Sequence, residues 1–431
     1  MRGRIIGWSL ILILSLFVVF LRIRLISLAS IDNVAKIEAH QEILRKIQED
    51  INKRHADFIP EKKDTLIKQA YNNYLRQNRY LVQEKIKEKN KEKKSFFQND
   101  NNHTYLFGVD SYYWLRLIDN LIKKGHIGDR IVNGKNYDEL VDMPIEDSLS
   151  RSMHLILGRI IYRFLGIFKI NVDYETGLYF IPLLFSALLA ILTFFVTRLL
   201  CKSDIAAFFS GLAVNLSPLL LQRTMGEWLD TDIYSVFFPL LTFGAFLFVF
   251  KSNALVKKIS GLIVFCFSCA FYAGIWQGWW YIFDLLILCG IIFIINDYTS
   301  EHRDKVLFRN NVLWLSYLFA FGLFCVFVFN GKESVLSFIS EPIKLIPALK
   351  SVPSDNWPNV FLTVAELKKV SPYRIVQELG GVIIFFVTIL GSIYLVLFKK
   401  ILRDKELGIG FFCLFVWLGI LYYTSLNAIS F

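Results

Sequence analysis

The sequence predicts an all-α polytopic membrane protein, and three observations carry that prediction. Of its 431 residues 55% are hydrophobic and 40 are phenylalanine, with a mean hydropathy of +0.45, far from the profile of an ordinary soluble domain. Apolar runs of the roughly 20 residues needed to cross a hydrocarbon core recur at 5–24, 178–199, 204–221, 233–250, 259–274, 277–296, 312–330, 375–398 and 408–424. The connections between these runs alternate in charge. Arg198 and Lys202; Lys251, Lys257 and Lys258; Arg303, Lys305 and Arg309; and Lys399, Lys400, Arg403 and Lys405 all fall on one side. Cytoplasmic loops carry such an excess of Lys and Arg, which sets the N-terminus in the cytoplasm of an integral multi-pass membrane protein and the intervening loops on the external face.

Residues 1–28 form the first span. MRGRIIGWSLILILSLFVVF is followed by Arg22 and Arg24 where a leader would place its small-residue cleavage site, although Ala29 and Ser30 come shortly after. A retained first transmembrane helix is the expectation. Residues 29–104 read as a charged helical insertion on the external side, because VAKIEAHQEILRKIQEDI sets apolar residues at helical spacing; one or two solvent-facing helices are expected. The run KEKNKEKK reads as a solvated face or linker. Residues 105–177 complete the first external loop, and GRIIYRFLGIF within it suggests a helix lying against the membrane. Residues 178–330 hold a transmembrane bundle, 331–374 a further external loop, and 375–431 the C-terminal transmembrane helices.

Charge and composition exclude several function classes. The balance of 48 basic to 37 acidic residues is +11, but the excess is spread over loops, so no nucleic-acid partner is expected. Cys266, Cys269, Cys289 and Cys325 lie inside apolar runs without CxxC spacing and read as inert buried thiols. His40, His55, His103, His126, His154 and His302 are scattered and suggest no histidine metal site. There is no GxGxxG or Walker-type loop for nucleotide hydrolysis. The aromatic run GIWQGWWYIF at Trp276 to Tyr281 reads as an interfacial belt. Asn102-His103-Thr104 and Asn215-Leu216-Ser217 match a glycosylation sequon and read by default as chance matches, since Asn215 lies in an expected span.

Chemistry collects in three external loops. Asp110 stands in FGVDSYYWLR; Glu227, Asp230 and Asp232 in RTMGEWLDTD; Glu366 in LTVAELKK. Carboxylate oxygens are hard donors, and two or three with waters make an octahedral site for Mg or Mn. Asp110 at a helix start also reads as an N-cap, and one of Asp230 and Asp232 as a cap for the helix near Ile233. Capping needs a single carboxylate, however, and two at i and i+2 beside hydrocarbon repel unless a cation or arginine intervenes. Arg223 and Arg116 are candidate counter-charges for a carboxylate or a diphosphate, since guanidinium offers a planar donor fork; either also reads as a snorkelling interfacial arginine.

These residues resemble the catalytic subunit of oligosaccharyltransferases, the STT3/PglB/AglB family. The likeness runs over roughly residues 105–375. It rests on Asp110 followed by Tyr112, Tyr113 and Arg116, on Arg223 seven positions before the Asp230-Thr231-Asp232 motif, and on Thr363-Val364-Ala365-Glu366 in a later loop. The resemblance implies a GT-C-like glycosyltransferase transmembrane core with a large first external loop. It implies transfer of an oligosaccharide from a polyprenyl-diphosphate carrier to the asparagine side chain of an acceptor protein, in contact with membrane lipid. Asp110, Asp230 and Glu366 would hold a Mn or Mg ion with Asp232 supporting them; Asp110 and Glu366 would also engage the amide, Arg223 would orient the acidic site or the diphosphate, Arg116 would contact substrate, and Thr363 would touch the acceptor peptide. The family carries a WWDYG motif in a C-terminal globular domain, and an arginine for the lipid diphosphate beyond the third motif. This sequence has no WWDYG and no arginine after Arg403, so a membrane core alone is implied. Three other readings remain at this level: another polyprenyl-phosphate-dependent membrane glycosyltransferase, a truncated inactive member, and a lipid-linked glycan transporter. The first does not need Glu366 with the paired aspartates, and the last places its charges near the bilayer midplane.

Overall fold

The computed structural model describes residues 2–26, 29–99, 104–140, 147–149, 152–167, 177–299, 305–348, 371–378 and 380–397. Helix α1 (Arg2–Ile26) is followed by α2 (Ala29–Arg54), α3 (Pro60–Gln77), α4 (Arg79–Lys94) and α5 (Val109–Lys123). Strands β1 (Arg130–Val132), β2 (Lys135–Asp138) and β3 (Asp147–Leu149) precede α6 (Met153–Ile167). Then come α7 (Phe180–Cys201), α8 (Asp204–Asn215), the one-turn α9 (Pro218–Gln222), α10 (Tyr234–Lys251), α11 (Leu255–Ala273) and a 3-10 turn at Gln277–Trp279. Helices α12 (Trp280–Thr299), α13 (Lys305–Ala348), α14 (Pro372–Glu378) and α15 (Val382–Leu397) complete the described elements.

Among the described residues, five helices are long and apolar enough to cross a membrane: α1, α7, α10, α11 and the first part of α13. Helix α7 packs against α1, α8 and α10, and α11 against α10 and α13. Small residues permit the close approach, since a methyl group at Gly244 would lie 2.7 Å from Val196 and one at Gly261 2.8 Å from Val249. The two ends of the bundle differ. At one, Gly7 near the start of α1 lies beside Asp204 and Arg198, which pair at 2.7 Å. At the other, Arg22 near the end of α1 reaches Thr224.

Several expectations are corrected. The run 204–221 is not one span: Pro218 has no N–H to give a helix ladder, and α8 stops at Asn215 before the short α9. The run 375–398 is likewise divided, at Gly380 and Gly381, both with positive φ, leaving α15 with 16 residues. After 312–330, Gly331 (φ 83°) kinks the chain but the helix resumes to Ala348. The charged segment forms three helices instead of one or two. The buried Ala35, Ala39, Ile43 and Ile51 of α2, Ile67 of α3 and Val82 of α4 line the inside of this unit, and Lys85–Glu42 at 2.6 Å, Lys93–Glu38 at 2.7 Å and Lys94–Asp32 at 2.9 Å tie α4 to α2. Within the aromatic run at 276–281, Trp279 and Trp280 are buried against the protein, and Trp279 donates to Ser337 Oγ at 3.2 Å. The three-stranded antiparallel sheet, ordered β1-β2-β3, was not anticipated by an all-α reading. Its hairpin turns at Asn133-Gly134, both left-handed (φ 50° and 78°), the signature of a two-residue hairpin loop. The run 408–424 lies outside the described residues.

Candidate active site

The second acidic loop runs from the end of α9 to the start of α10. No side chain caps α10, whose boundary residue is Ile233, so neither Asp230 nor Asp232 serves as its N-cap. The Thr231 N–H donates to Asp230 Oδ1 at 2.6 Å. Arg223 Nη1 donates to Asp232 Oδ2 at 3.0 Å, and its guanidinium lies 4.4 Å from the centre of the Trp228 ring, a stacked position that fixes the plane of the fork. Burial and the neighbouring Asp230 charge raise the Asp232 carboxyl above its ordinary range, with Arg223 opposing them. Arg223 is thus the counter-charge beside this pair of aspartates and offsets part of their repulsion.

The first loop docks directly on this one. The Phe107 N–H donates to the Glu227 carbonyl at 2.8 Å, and the Phe107 ring packs 5.0 Å from that of Trp228. Gly108 then turns the chain with φ 83° and ψ 153°, a region open to glycine almost alone, and α5 begins at Val109. Asp110 is therefore inside the first turn and is not the N-cap. It is exposed, and no protein group among the described residues bonds its carboxylate. One turn on, the Trp114 indole N–H donates to Asp230 Oδ1 at 3.3 Å, while Asp230 Oδ2 has no bonding partner among the described residues. Residues i and i+4 share a helix face, so Asp110 opens toward the same side as the Asp230 loop.

Behind this contact is a buried pair that sequence reasoning missed. His154, at the start of α6, is fully buried, and its Nδ1 is 2.9 Å from the Tyr234 hydroxyl. Its ring also meets the Trp114 ring edge-on at 5.1 Å. Burial pushes His154 down to about 4 against the pull of the Asp230 charge, so it is neutral at physiological pH. A lone histidine in an apolar helix carries no local signal of this role, whereas Trp114 stands four residues after Asp110, where a helical reading of that motif could have found it.

The structure brings Asp110, Arg223, Asp230 and Asp232 to one end of the bundle. It assigns Arg116 elsewhere. That guanidinium, expected to contact substrate, is spanned between Asp129 and Asp138, the latter at 2.6 Å from Nη2, and so ties α5 to the hairpin. Burial alone would raise the Asp129 carboxyl, but hydrogen bonds from Asn120, the Glu139 N–H and Arg116 outweigh it and hold it low. Glu227, grouped with the external acids, turns inward: it is 8% exposed, its Oε1 is unbonded, and burial raises its carboxyl. Thr363 and Glu366 lie outside the described residues. Among the described residues no three His, Cys, Asp or Glu side chains converge closely enough to hold a metal ion. Asp110 and Asp230 nevertheless offer unbonded carboxylate oxygens, the hard donors that Mn and Mg take, and a set containing them needs a further ligand.

Comparison with known proteins decides the lineage of this arrangement. The family model described as oligosaccharyl transferase STT3, N-terminal, matches residues 80–426. The chain belongs to the STT3 family. The match begins within α4, and α1 to α3 precede the matched residues. Two curated relatives are dolichyl-phosphooligosaccharide-protein glycotransferases. That of Methanococcus voltae is 26% identical over 341 residues, which cover 73% of this chain and 37% of the relative; that of Methanocaldococcus jannaschii is 26% identical over 429 residues, 78% and 45% respectively. The chain therefore spans less than half the length of these relatives. Solved structures with some likeness are of the Archaeoglobus fulgidus oligosaccharyltransferase AglB. One, in complex with an inhibitory peptide and a dolichol-phosphate, gives a TM-score of 0.43 at 17% identity over 71% of this chain and 35% of that one. Another, in complex with Zn and sulfate, gives 0.42 at 17% over 74% and 36%.

Proposed function

We propose that this STT3 chain carries the catalytic membrane core of a glycosyltransferase that moves an oligosaccharide from a polyprenyl-diphosphate carrier to the side-chain amide of asparagine in an acceptor protein. The observation that carries the reading is the Trp114–Asp230 hydrogen bond of 3.3 Å. It joins the first-loop helix bearing Asp110 to the Asp-Thr-Asp loop, as a site shared by two loops requires. The relatives' names, which pair a dolichyl-linked oligosaccharide with a protein acceptor, support the substrate classes.

Asp110, Asp230 and Glu366, with Asp232 beside them, would hold a Mn or Mg ion, which when bound neutralises the negative charge that grows on the departing diphosphate. An amide nitrogen is a weak nucleophile because its lone pair is delocalised into the carbonyl. Asp110, its carboxylate unbonded by the described residues, is available to accept a hydrogen bond from the acceptor N–H, and Glu366 would do the same from the later loop. Arg223 keeps its plane against Trp228 while one edge holds Asp232, which leaves guanidinium N–H groups for a lipid phosphate. Thr363 would contact the acceptor peptide. The active face is external, since the basic loops gather at the opposite end of the bundle.

The test is transfer from a lipid-linked oligosaccharide to an Asn-x-Ser/Thr peptide in the presence of Mn. Wild-type chain is expected to glycosylate the peptide, and Asp230→Ala to lose on the order of a hundredfold or more in rate. Activity indifferent both to that substitution and to chelation would overturn the metal-dependent mechanism.

A further inference from the structure

Arg22 is the largest charged side chain in the core. It sits near the end of the first membrane-spanning helix, is 0% exposed, and has no carboxylate partner among the described residues. Desolvating a cation without a counter-ion is expensive, so the contacts it makes instead are informative. Its Nε donates to Thr224 Oγ1 at 2.7 Å, Nη2 to the Asn215 carbonyl at 3.2 Å, and Nη1 to the Val18 carbonyl of its own helix at 3.3 Å. Asn215 is the last residue of α8, where Pro218 interrupts the ladder, and Thr224 is the first residue of the loop after Arg223. Thr224 is itself fully buried, and its hydroxyl donates a hydrogen bond to the Leu220 carbonyl at 2.5 Å.

The guanidinium thus bridges both sides of α9, the five-residue turn that delivers Arg223. A planar fork with several donors can hold two acceptors at fixed separation, which an ammonium cannot. With Thr224 pinned inward, its neighbour Arg223 is directed the other way, onto the Trp228 face and Asp232. We propose that Arg22 is a positioning residue that sets the register of the Arg223–Asp232 loop from the first transmembrane helix. It acts through Thr224, without touching substrate. The catalytic arm of the test below rests on the proposed transferase activity, while the exchange arm does not.

The experiment compares the full chain in lipid nanodiscs with Arg22→Met, Arg22→Lys, Thr224→Val and the Arg22→Met/Thr224→Val double variant. Hydrogen exchange at the amides of residues 223–229 is expected to quicken in Arg22→Met and in Arg22→Lys, while α11 exchanges as in wild type. Methionine removes an unpaired buried charge but leaves the Asn215 carbonyl without this donor, so the two effects oppose and the thermal midpoint of Arg22→Met should stay near that of wild type. In the transfer assay kcat should fall on the order of tenfold to a hundredfold with the acceptor KM unchanged, and the double variant should be no worse than the worse single, the non-additivity of residues acting as one unit. Unchanged exchange at 223–229 overturns the proposal, as does a kcat loss that merely tracks a lowered midpoint, full function in Arg22→Lys, or additivity of the two substitutions. If wild type transfers nothing, the function reading fails and the exchange result alone decides the role of Arg22.

Discussion

Glu227 shows how much one inward rotation changes an acidic residue. In sequence it stands with Asp230 and Asp232, yet it is buried with an unbonded Oε1, and burial raises its carboxyl. A raised carboxyl means the folded chain binds that proton more tightly than the unfolded one. Its stabilising contribution is therefore complete at pH below the unfolded value of 4.5 and is lost as pH rises through the folded value; at neutral pH the ionised group is a penalty. Glu227→Gln should raise stability by ~1 kcal/mol at pH 7.5, and the two unfolding curves should converge as pH falls toward 4. A wild type more stable than the variant at neutral pH would show that a cation meets this carboxylate. What the sequence could and could not show at this scale follows range of contact. Arg223 and Asp232 pair within nine residues of each other, so their partnership is visible in the motif; Trp114 finds Asp230 across 116 residues, and no local pattern records it. Arg116 fails for the same reason, since its partners Asp129 and Asp138 become its neighbours only after the hairpin folds.

The elements were legible where hydrophobic length decides and illegible where backbone chemistry interrupts it. Runs at 178–199, 233–250 and 259–274 correspond to α7, α10 and α11, because a long apolar stretch has few alternatives to a helix in lipid. Hydropathy is blind to Pro218 and to Gly380-Gly381, which divide two equally apolar runs. The Asn133-Gly134 hairpin was readable, but its three short strands are mostly polar and give little periodicity. Gly108 is the element boundary on which the site depends: it ends the segment docked on Glu227 and starts the helix that carries Asp110 and Trp114. Its φ of 83° with ψ of 153° lies where a Cβ is strained by about 1–3 kcal/mol, even though the space around it is open. Gly108→Ala should lower stability by that amount and reduce transfer more than Gly166→Ala, a helical position that is also open. Thermal unfolding and peptide transfer on the two variants check this, and equal effects would show that the bend at Gly108 does not position the first loop.

At the scale of the whole molecule the chain divides into a bundle that bears the acidic loops and a three-helix unit that stands apart from them. Helices α2, α3 and α4 bury their apolar residues among themselves and exchange ion pairs, Lys85 with Glu42, Lys93 with Glu38 and Lys94 with Asp32. The family match begins at residue 80, so α2 and α3 precede the matched residues while nearly all of α4 falls within them. Its two ends are adjacent: Lys94 Nζ is 2.9 Å from Asp32 Oδ1. Closing such a short gap requires only a short linker, and loop-closure entropy grows slowly with length. At the base of the unit, the Tyr105 N–H donates to the Phe97 carbonyl at 2.7 Å, and Thr104 accepts through its carbonyl from the Tyr179 hydroxyl of the chain just before α7; excision should leave these contacts in place. A chain in which residues 33–93 are replaced by a few Gly and Ser residues is therefore expected to insert into membranes and unfold with a midpoint near that of wild type. It should also retain the Trp114–Asp230 contact, read as a loss of transfer on Trp114→Phe in both backgrounds. Collapse of the excised chain in detergent, or retention of fold with abolished transfer, would instead show that the unit supports the candidate site from outside the bundle.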